Sequence, residues 1–401
     1  MTRPDTSKAL GIGAAGIIVA IIGIFVSSPH AVATAWLVGL GFWTAIAIGM
    51  LMMVLIHHIF DSQWSVVLRR QFEHGLRFFP WLLLLFIPLI IGSVFKKDLV
   101  WPWMDPSHQL AATHTVRDDI AYVKKSAFLN LPLFTILTVA FYLFWWWISE
   151  RLRKASFTQD VDGDPRWSSQ NGKTSGFGIP VVGLMLTAAA IYWFKSLEYH
   201  WFSTMYGVWY FSDCMRAALS LGVVLMVWLY RRGDLKGILK TDHMWAIGQL
   251  MLTFTVFWAY VSFDQYFLIW NANVPEETFW YNIREFGDWW YVSLFLVFGN
   301  FLLPFCLLLS YRYKVTHVTA RRIAYFILVV VFIDICYNIL PALKDANGNP
   351  QPFFSLNLLW SVAATAGIGG ICMAAYLRSL ATTKIIPIRD PRIGECLNHD
   401  D

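Results

Sequence analysis

The sequence predicts an all-α integral membrane protein with ten transmembrane helices, from its composition and from the length of its apolar runs. Of the 401 residues, 57% are hydrophobic and only 14% are charged. A soluble domain cannot keep so large an apolar share away from water, whereas a bilayer protein needs it because lipid is the solvent for its outward faces. The net charge of +5 is then a matter of membrane topology, and nucleic-acid binding is excluded.

Ten apolar runs are each long enough to cross a bilayer as a helix. The first two are joined only by Ser28-Pro29-His30, which predicts an antiparallel hairpin. The stretch 151–177 is rich in Asp, Ser, Gly and Lys and is predicted to be a linker between four spans and six. We expect residues 1–401 to form a single polytopic membrane domain. The predicted spans are 9–27, 32–57, 76–95, 128–148, 178–195, 206–230, 243–269, 289–311, 322–341 and 354–378.

The distribution of Lys and Arg predicts the orientation of these spans. The N-terminus, the even-numbered loops and the C-terminal tail hold 22 basic residues, and the odd-numbered loops hold 8. Cytoplasmic loops carry the excess of basic residues in membrane proteins. Both termini are therefore expected in the cytoplasm, with the chain in a bacterial inner membrane.

The cysteines and histidines do not form a pattern typical of a redox or metal site. Cys214, Cys306, Cys336, Cys372 and Cys396 include no CxxC pair, and the chain has no CxxCH motif for covalent haem. The histidines lie near span ends, so no facing pair for haem b is expected. We predict no cofactor, no metal and no catalytic residue in this chain.

Three aspartates are predicted inside spans, where ionisable side chains are costly and usually functional. Asp213, Asp264 and Asp334 each lie roughly 9–11 Å below the outer end of their helix, at about 1.5 Å per residue. They are expected to form one layer and to carry protons. Arg216 lies three residues after Asp213, so these two could instead be an ion pair with no further role. Asp264 and Asp334 could likewise be packing residues satisfied by local hydrogen bonds.

Two outer loops extend this polar set. Glu198 and His200 lie among aromatic residues between the fifth and sixth spans, and Glu276 and Glu277 follow the aromatic end of the seventh. We expect these four side chains to line a proton entrance or to form a subunit contact.

Three stretches resemble one family. Residues 196–207, SLEYHWFSTMYG, resemble the SLEPHWFSTIYG-like motif of the membrane subunits of alternative complex III. Residues 257–278 are similar to the F-subunit pattern that ends in N-x-P-E-E, and residues 122–134 are similar to the stretch that follows the third loop in that family. The resemblance covers roughly residues 76–341. The chain departs from the family at Asp264, where Ser is more usual, and at Tyr199, where Pro is.

The resemblance implies an NrfD-like fold, like that of polysulfide-reductase membrane subunits, with two four-helix bundles plus two extra helices. It also implies a set of partners: a sister NrfD-like quinol-oxidising membrane subunit, a periplasmic iron–sulfur subunit, cytochrome c subunits with haem c, and in some assemblies a terminal oxidase. The F-type subunit of such a complex is proposed to take part in proton translocation.

The sequence and the resemblance together predict a cofactor-free subunit of a quinol:cytochrome c (or oxidase) oxidoreductase that contributes to proton translocation and complex assembly. One alternative is that this chain binds and oxidises quinol itself. A second is an ion-coupled secondary transporter that uses Asp264 and Asp334, although transporters commonly have inverted repeats and none is evident here. A purely scaffolding role is a third.

Overall fold

The computed structural model describes residues 5–111, 114–345 and 348–397. Ten of its helical segments are long and apolar enough to cross a membrane. Within the described residues, the only strands are the short antiparallel pair β1 (Gln109–Ala111) and β2 (His114–Thr115) in the third loop. The prediction of an all-α integral membrane protein is therefore confirmed.

Sixteen α-helices lie in the described ranges, and each predicted span matches one helix or a consecutive set. Short helices cap the spans or cross the loops between them. The bounds are α1 Ser7–Val26, α2 Pro29–Phe60, α3 Val66–Gly75, α4 Phe78–Phe95, α5 Ile120–Lys125, α6 Leu131–Asp162, α7 Arg166–Trp193, α8 Tyr206–Arg232, α9 Thr241–Ala272, α10 Pro275–Asn282, α11 Trp289–Phe295, α12 Leu303–Leu309, α13 Tyr311–Val315, α14 His317–Ile339, α15 Leu356–Thr382 and α16 Ile393–Leu397.

The predicted linker at 151–177 is wrong, because almost all of this stretch is helical. Helix α6 continues to Asp162 and α7 begins at Arg166, so only three residues separate them. Gly163 ends α6 at a φ of 74°, the left-handed conformation that glycine adopts without a steric penalty. Helix α6 has 32 residues and is about 48 Å long at 1.5 Å per residue, so it extends well beyond a hydrocarbon core of about 30 Å.

The spans form two four-helix bundles with two further helices beside them, as the resemblance implied for the fold. The first bundle contains α2, the α3–α4 segment, α6 and α7, and the second contains α8, α9, the α11–α12 segment and α14. Helices α2 and α8 are the most deeply buried spans and pack against each other, which joins the bundles. The fifth span therefore belongs with the second, third and fourth, and the chain is not divided into four spans and six.

Helices α1 and α15 pack together through glycines outside the bundles. The Cα hydrogens of Gly16 leave room for the backbone of α15, because a Cβ there would lie 2.4 Å from the amide nitrogen of Gly367. Small residues permit such close helix contacts within lipid, where van der Waals packing must hold helices together. The side of α1 that faces away from α15 carries exposed isoleucines such as Ile18 and Ile22.

Candidate functional site

Asp213, Arg216 and Asp334 form a buried charged cluster in the second bundle. Asp213 and Arg216 lie on α8 and Asp334 on α14, and none of the three is more than 2% exposed. Arg216 Nη1 lies 3.4 Å from Asp213 Oδ1. The carboxyl groups of Asp213 and Asp334 are buried together and interact with each other and with this guanidinium. Two carboxylates buried beside a single cation cannot both be ionised without an uncompensated charge. One proton on the pair and one charged guanidinium would make the cluster electrically neutral.

The hydrogen-bond partners of the two carboxyls differ. Asp334 Oδ2 accepts from the indole nitrogens of Trp209, at 3.1 Å, and Trp258, at 2.7 Å. Its Oδ1 accepts from the amide of Asn338 at 3.3 Å. Among the described residues, Asp213 Oδ1 accepts from Arg216 at 3.4 Å, and Asp213 Oδ2 has no hydrogen-bond partner. Asp334 thus accepts more hydrogen bonds, which favour its ionised form, and Asp213 is the member of the pair better suited to hold a proton.

An irregular helix holds the guanidinium. The eighth span changes to π-helical geometry over Leu296–Leu302, between α11 and α12. Within it, Asn300 accepts two bonds from Arg216 Nη2, at 2.9 Å through its carbonyl oxygen and 2.5 Å through its side-chain oxygen. Single π turns inside α-helices occur frequently at functional sites. Here the wide turn supplies two oxygen acceptors to the buried guanidinium, which also lies 5.4 Å from the centre of the Trp258 ring.

A cavity of about 540 Å³ lies against Asp334. It opens between α8, α9, α10, the π-helix and α14, and both indoles that bond to Asp334 are part of its wall. This volume is typical of sites for small organic molecules, which are mostly apolar with a few placed polar groups. The polar lining groups are Ser262, Gln265, Glu285, Ser293, Asp334 and Asn338. The aromatic lining residues include Tyr206, Phe263, Tyr266, Trp280, Tyr281 and Tyr337.

Arg284 holds together the part of the cavity wall formed by Trp280, Tyr337 and Asn338. Its guanidinium carbon lies 3.4 Å from the centre of the Trp280 ring, a cation–π stack. It donates to the carbonyl oxygens of Trp280, Tyr337 and Asn338 at 2.8, 3.0 and 3.2 Å. Burial lowers the pKa of Arg284 to about 10, so it remains charged at neutral pH. The short loop after α10 is in this way anchored to the end of α14.

The structure brings together two of the three predicted aspartates. Asp264 on α9 is partly exposed, and among the residues described it has no hydrogen bond or ion pair. Its neighbours Phe263 and Gln265 line the cavity, but Asp264 does not. The predicted ion pair between Asp213 and Arg216 is present. It is part of a larger cluster, because the charge of Arg216 also attracts the carboxyl of Asp334.

The predicted loop residues lie apart from the cavity. Glu276 and Glu277 occupy the first turn of α10, where acidic residues are favoured by the helix dipole, and Glu276 is exposed. Glu198 forms an ion pair with Lys344 at 3.1 Å. None of the three is a lining residue, whereas Glu285, which the sequence did not suggest, is.

His200 and its neighbour Tyr199 connect the third and fifth loops. Both side chains bond to Asp119 Oδ2 at 2.5 Å, and Lys125 donates to the Tyr199 carbonyl oxygen at 2.5 Å. Partial burial raises the pKa of Asp119, but the bonds from Tyr199, the Ala121 amide and His200 outweigh burial and hold that pKa below its usual value. His200 is therefore part of a contact between the third and fifth loops of this chain.

Sequence reasoning missed the tryptophans and the π-helix asparagine. Trp209 lies four residues before Asp213 on the same helical face, but its indole donates to Asp334 on α14, so that spacing would have indicated the wrong carboxyl. Trp258 and Asn300 reach the cluster only through tertiary packing, and no local pattern marks them.

The histidines and cysteines of the described ranges do not cluster as metal ligands: no three His, Cys, Asp or Glu side chains come together. The fold and the cluster define a polytopic helical membrane protein with a buried carboxyl pair beside an aromatic cavity. No model of a known protein family matches the chain, and no curated protein matches it.

Proposed function

We propose that this chain is a proton-transfer subunit of a quinol-oxidising respiratory membrane complex, and that the Asp213–Asp334 pair carries the proton. The observation that supports the proposal is that these two carboxyls are buried in one cluster with a single arginine. A neutral cluster that holds one proton can release it and take up another with little movement of its neighbours. Buried ionisable groups of this kind are typical of proton relays in membranes.

Two of the stretches that resemble alternative complex III support this proposal, because they contribute residues to the cavity beside the carboxyl pair. The stretch 196–207 leads into α8 and includes Tyr206, and the stretch 257–278 includes Trp258, Phe263 and Gln265, all in the cavity wall. The partners proposed with this function are those of that family: a sister quinol-oxidising subunit, an iron–sulfur subunit and cytochrome c subunits.

The test is the number of protons moved per electron in proteoliposomes that contain the native complex. Asp213→Asn and Asp334→Asn keep side-chain size and remove the proton-binding carboxyl. Both should lower the ratio while the iron–sulfur and haem content stays normal. Asp242→Asn is the matched control, because Asp242 lies at the end of α9 that is remote from the cavity. Wild-type stoichiometry in both cluster variants would favour the scaffolding alternative.

Asp264→Asn in the same assay tests whether Asp264 contributes to proton transfer, as the sequence predicted. The sequence placed Asp264 in the proton layer, whereas the structure leaves it outside the cluster. We expect a smaller fall than in either cluster variant.

The cavity favours a second candidate function, direct binding of quinol by this chain. Its volume and aromatic lining suit a substituted ring, and Asp334 is a carboxylate to which a ring hydroxyl could donate. Ala259→Trp would fill the cavity, whereas Val256→Trp, on an exposed position of the same helix, would not. Labelling of the purified chain by a photoreactive quinone should be lost only in Ala259→Trp. Equal labelling in all three proteins would exclude this candidate.

A secondary transporter would move its substrate without electron transfer. Uptake into vesicles that contain this chain alone, driven by an imposed proton gradient and abolished by Asp334→Asn, would favour that alternative over ours.

The Lys and Arg distribution supports cytoplasmic termini in a bacterial inner membrane. Reporter domains fused after Arg232 and Arg378 should be cytoplasmic, and one fused after Gly348 should be periplasmic. A periplasmic C-terminal tail would reverse the orientation and place the cavity on the cytoplasmic side.

A further inference from the structure

A second recess lies at the inner end of the first bundle, far along the chain from the carboxyl pair. This groove between α6 and α7 has a volume of about 780 Å³. Its wall combines apolar and aromatic side chains with two basic ones, and Glu150, Ala155 and Gln170 complete it. Its other lining residues are Leu143, Trp146, Trp147, Arg151, Lys154 and Trp167.

The groove crosses the boundary between hydrocarbon and headgroups. The apolar run of α6 ends at Ile148, and Trp146 and Trp147 just before it are 37% and 51% exposed. Tryptophans at this position of a span lie at the membrane–water interface. Arg151 and Lys154 follow Trp147 by four and seven residues, or about 6 and 10 Å along the helix axis. They are thus at the depth of lipid phosphates.

The positive charge of the groove is not neutralised within it. Glu150 is engaged by Arg153 at 2.9 Å and by Arg77 at 3.5 Å. Arg151 donates from Nε to Thr174 at 3.2 Å, and its guanidinium carbon lies 5.9 Å from the Trp147 ring centre. Its two terminal nitrogens remain for a ligand.

Lys154 is exposed and has no ion pair among the residues described. Outside the groove, Asp162 accepts a hydrogen bond of 2.8 Å from the indole of Trp167. Two cations therefore face an approaching headgroup, and the nearby carboxylates are each held by a partner.

We propose that this groove binds one anionic phospholipid. Arg151 and Lys154 contact its phosphate, and the acyl chains lie along Leu143, Trp146 and Trp147 toward the hydrocarbon core. Basic pockets at the cytoplasmic side of transmembrane helices bind anionic headgroups in this way. A lipid fits better than a peptide because the apolar part of the groove continues along α6 into the bilayer.

Native mass spectrometry of the purified full-length chain tests the proposal. Phosphatidylglycerol, phosphatidylcholine or inorganic phosphate is added to delipidated protein in detergent. We expect one tightly bound phosphatidylglycerol, with about thirtyfold preference over phosphatidylcholine, the effect of two basic residues near an anionic lipid. Inorganic phosphate should not compete at equal concentration, because it lacks the acyl chains.

The double variant Arg151→Gln, Lys154→Gln should reduce this preference to within about threefold. Arg151→Lys with Lys154→Arg keeps the charges and should keep the preference. The control pair Lys236→Gln and Arg378→Gln removes two exposed charges at the same end, outside the groove. Equal binding of both lipids by the wild type, or an equal loss in the control pair, would overturn the proposal.

Discussion

The indole of Trp258 on α9 donates a hydrogen bond of 2.7 Å to Asp334 Oδ2 on α14. This bond places a carboxylate oxygen at the wall of the cavity and joins two helices of the second bundle. It also explains how a carboxylate is held within a span: Trp258, Trp209 and Asn338 together supply three N–H donors to it.

Trp258→Phe should therefore weaken the bundle while it preserves most of the ring volume. The loss of a hydrogen bond to a charged group predicts a fall of roughly 1.5–3 kcal/mol in the free energy of unfolding. Denaturation of the purified chain in detergent measures it. Trp245→Phe, at a partly exposed position of the same helix, should change stability little. An equal loss in the two variants would mean that the indole bond does not stabilise the carboxylate.

Arg216→Gln should be strongly destabilising, and Asp213→Asn should rescue it. Removal of one partner of a buried pair leaves an uncompensated charge, at a cost of about 3–5 kcal/mol. The double variant removes the arginine and one of the two carboxyls, so the single proton can neutralise Asp334, which keeps its own N–H donors. Denaturation curves and yields of folded protein are measured for both single variants and the double variant. Together they give the interaction free energy between Arg216 and Asp213. Strictly additive effects would show that Arg216 and Asp213 do not interact.

Gly16→Ala should loosen α1 from α15. A methyl group at Gly16 would meet backbone atoms of Gly367 and Ala363 at 2.4–2.7 Å, so the helices must separate. Overpacking of this kind costs about 1–3 kcal/mol. Gly11→Ala is the matched control on the same helix, because a Cβ there meets nothing within 4 Å. Thermal stability in detergent should fall only for Gly16→Ala, and a fall of equal size at Gly11 would contradict the packing account.

Lys195, just beyond the fifth span, should react as an amine nucleophile at unusually low pH. Burial, with a further contribution from the charge of Lys125, lowers the pKa of Lys195 to about 8. At pH 8 about half of it is neutral, whereas an ordinary lysine with a pKa of about 10.4 is less than about 1% neutral. Acetylation of Lys195 by acetic anhydride, followed by peptide mass spectrometry, should rise through pH 8. A rise only above pH 10 would show that the side chain is solvated.

The local sequence pattern was sufficient to predict the ten spans and one contact of the candidate site. Each span was predictable because lipid requires about 20 apolar residues in a row, and Asp213 with Arg216 because residues three apart share a helix face. The polar ends of α6 and α7 were misread as a linker, since helical segments outside the bilayer lack that apolar signal. The meeting of Asp213 with Asp334 and the bond from Asn300 depend on how α8, α14 and the π-helix pack, which no local spacing encodes.

Infrared spectroscopy of the purified chain tests the central claim, that Asp213 and Asp334 share one proton at neutral pH. A protonated carboxyl has a carbonyl stretch that carboxylates lack. We predict such a band at pH 7 in the wild type, its loss in both Asp213→Asn and Asp334→Asn, and its persistence in Asp264→Asn. In either cluster variant the remaining carboxylate is ionised beside Arg216. A wild-type spectrum without the band, or a band unchanged in both cluster variants, would contradict the account.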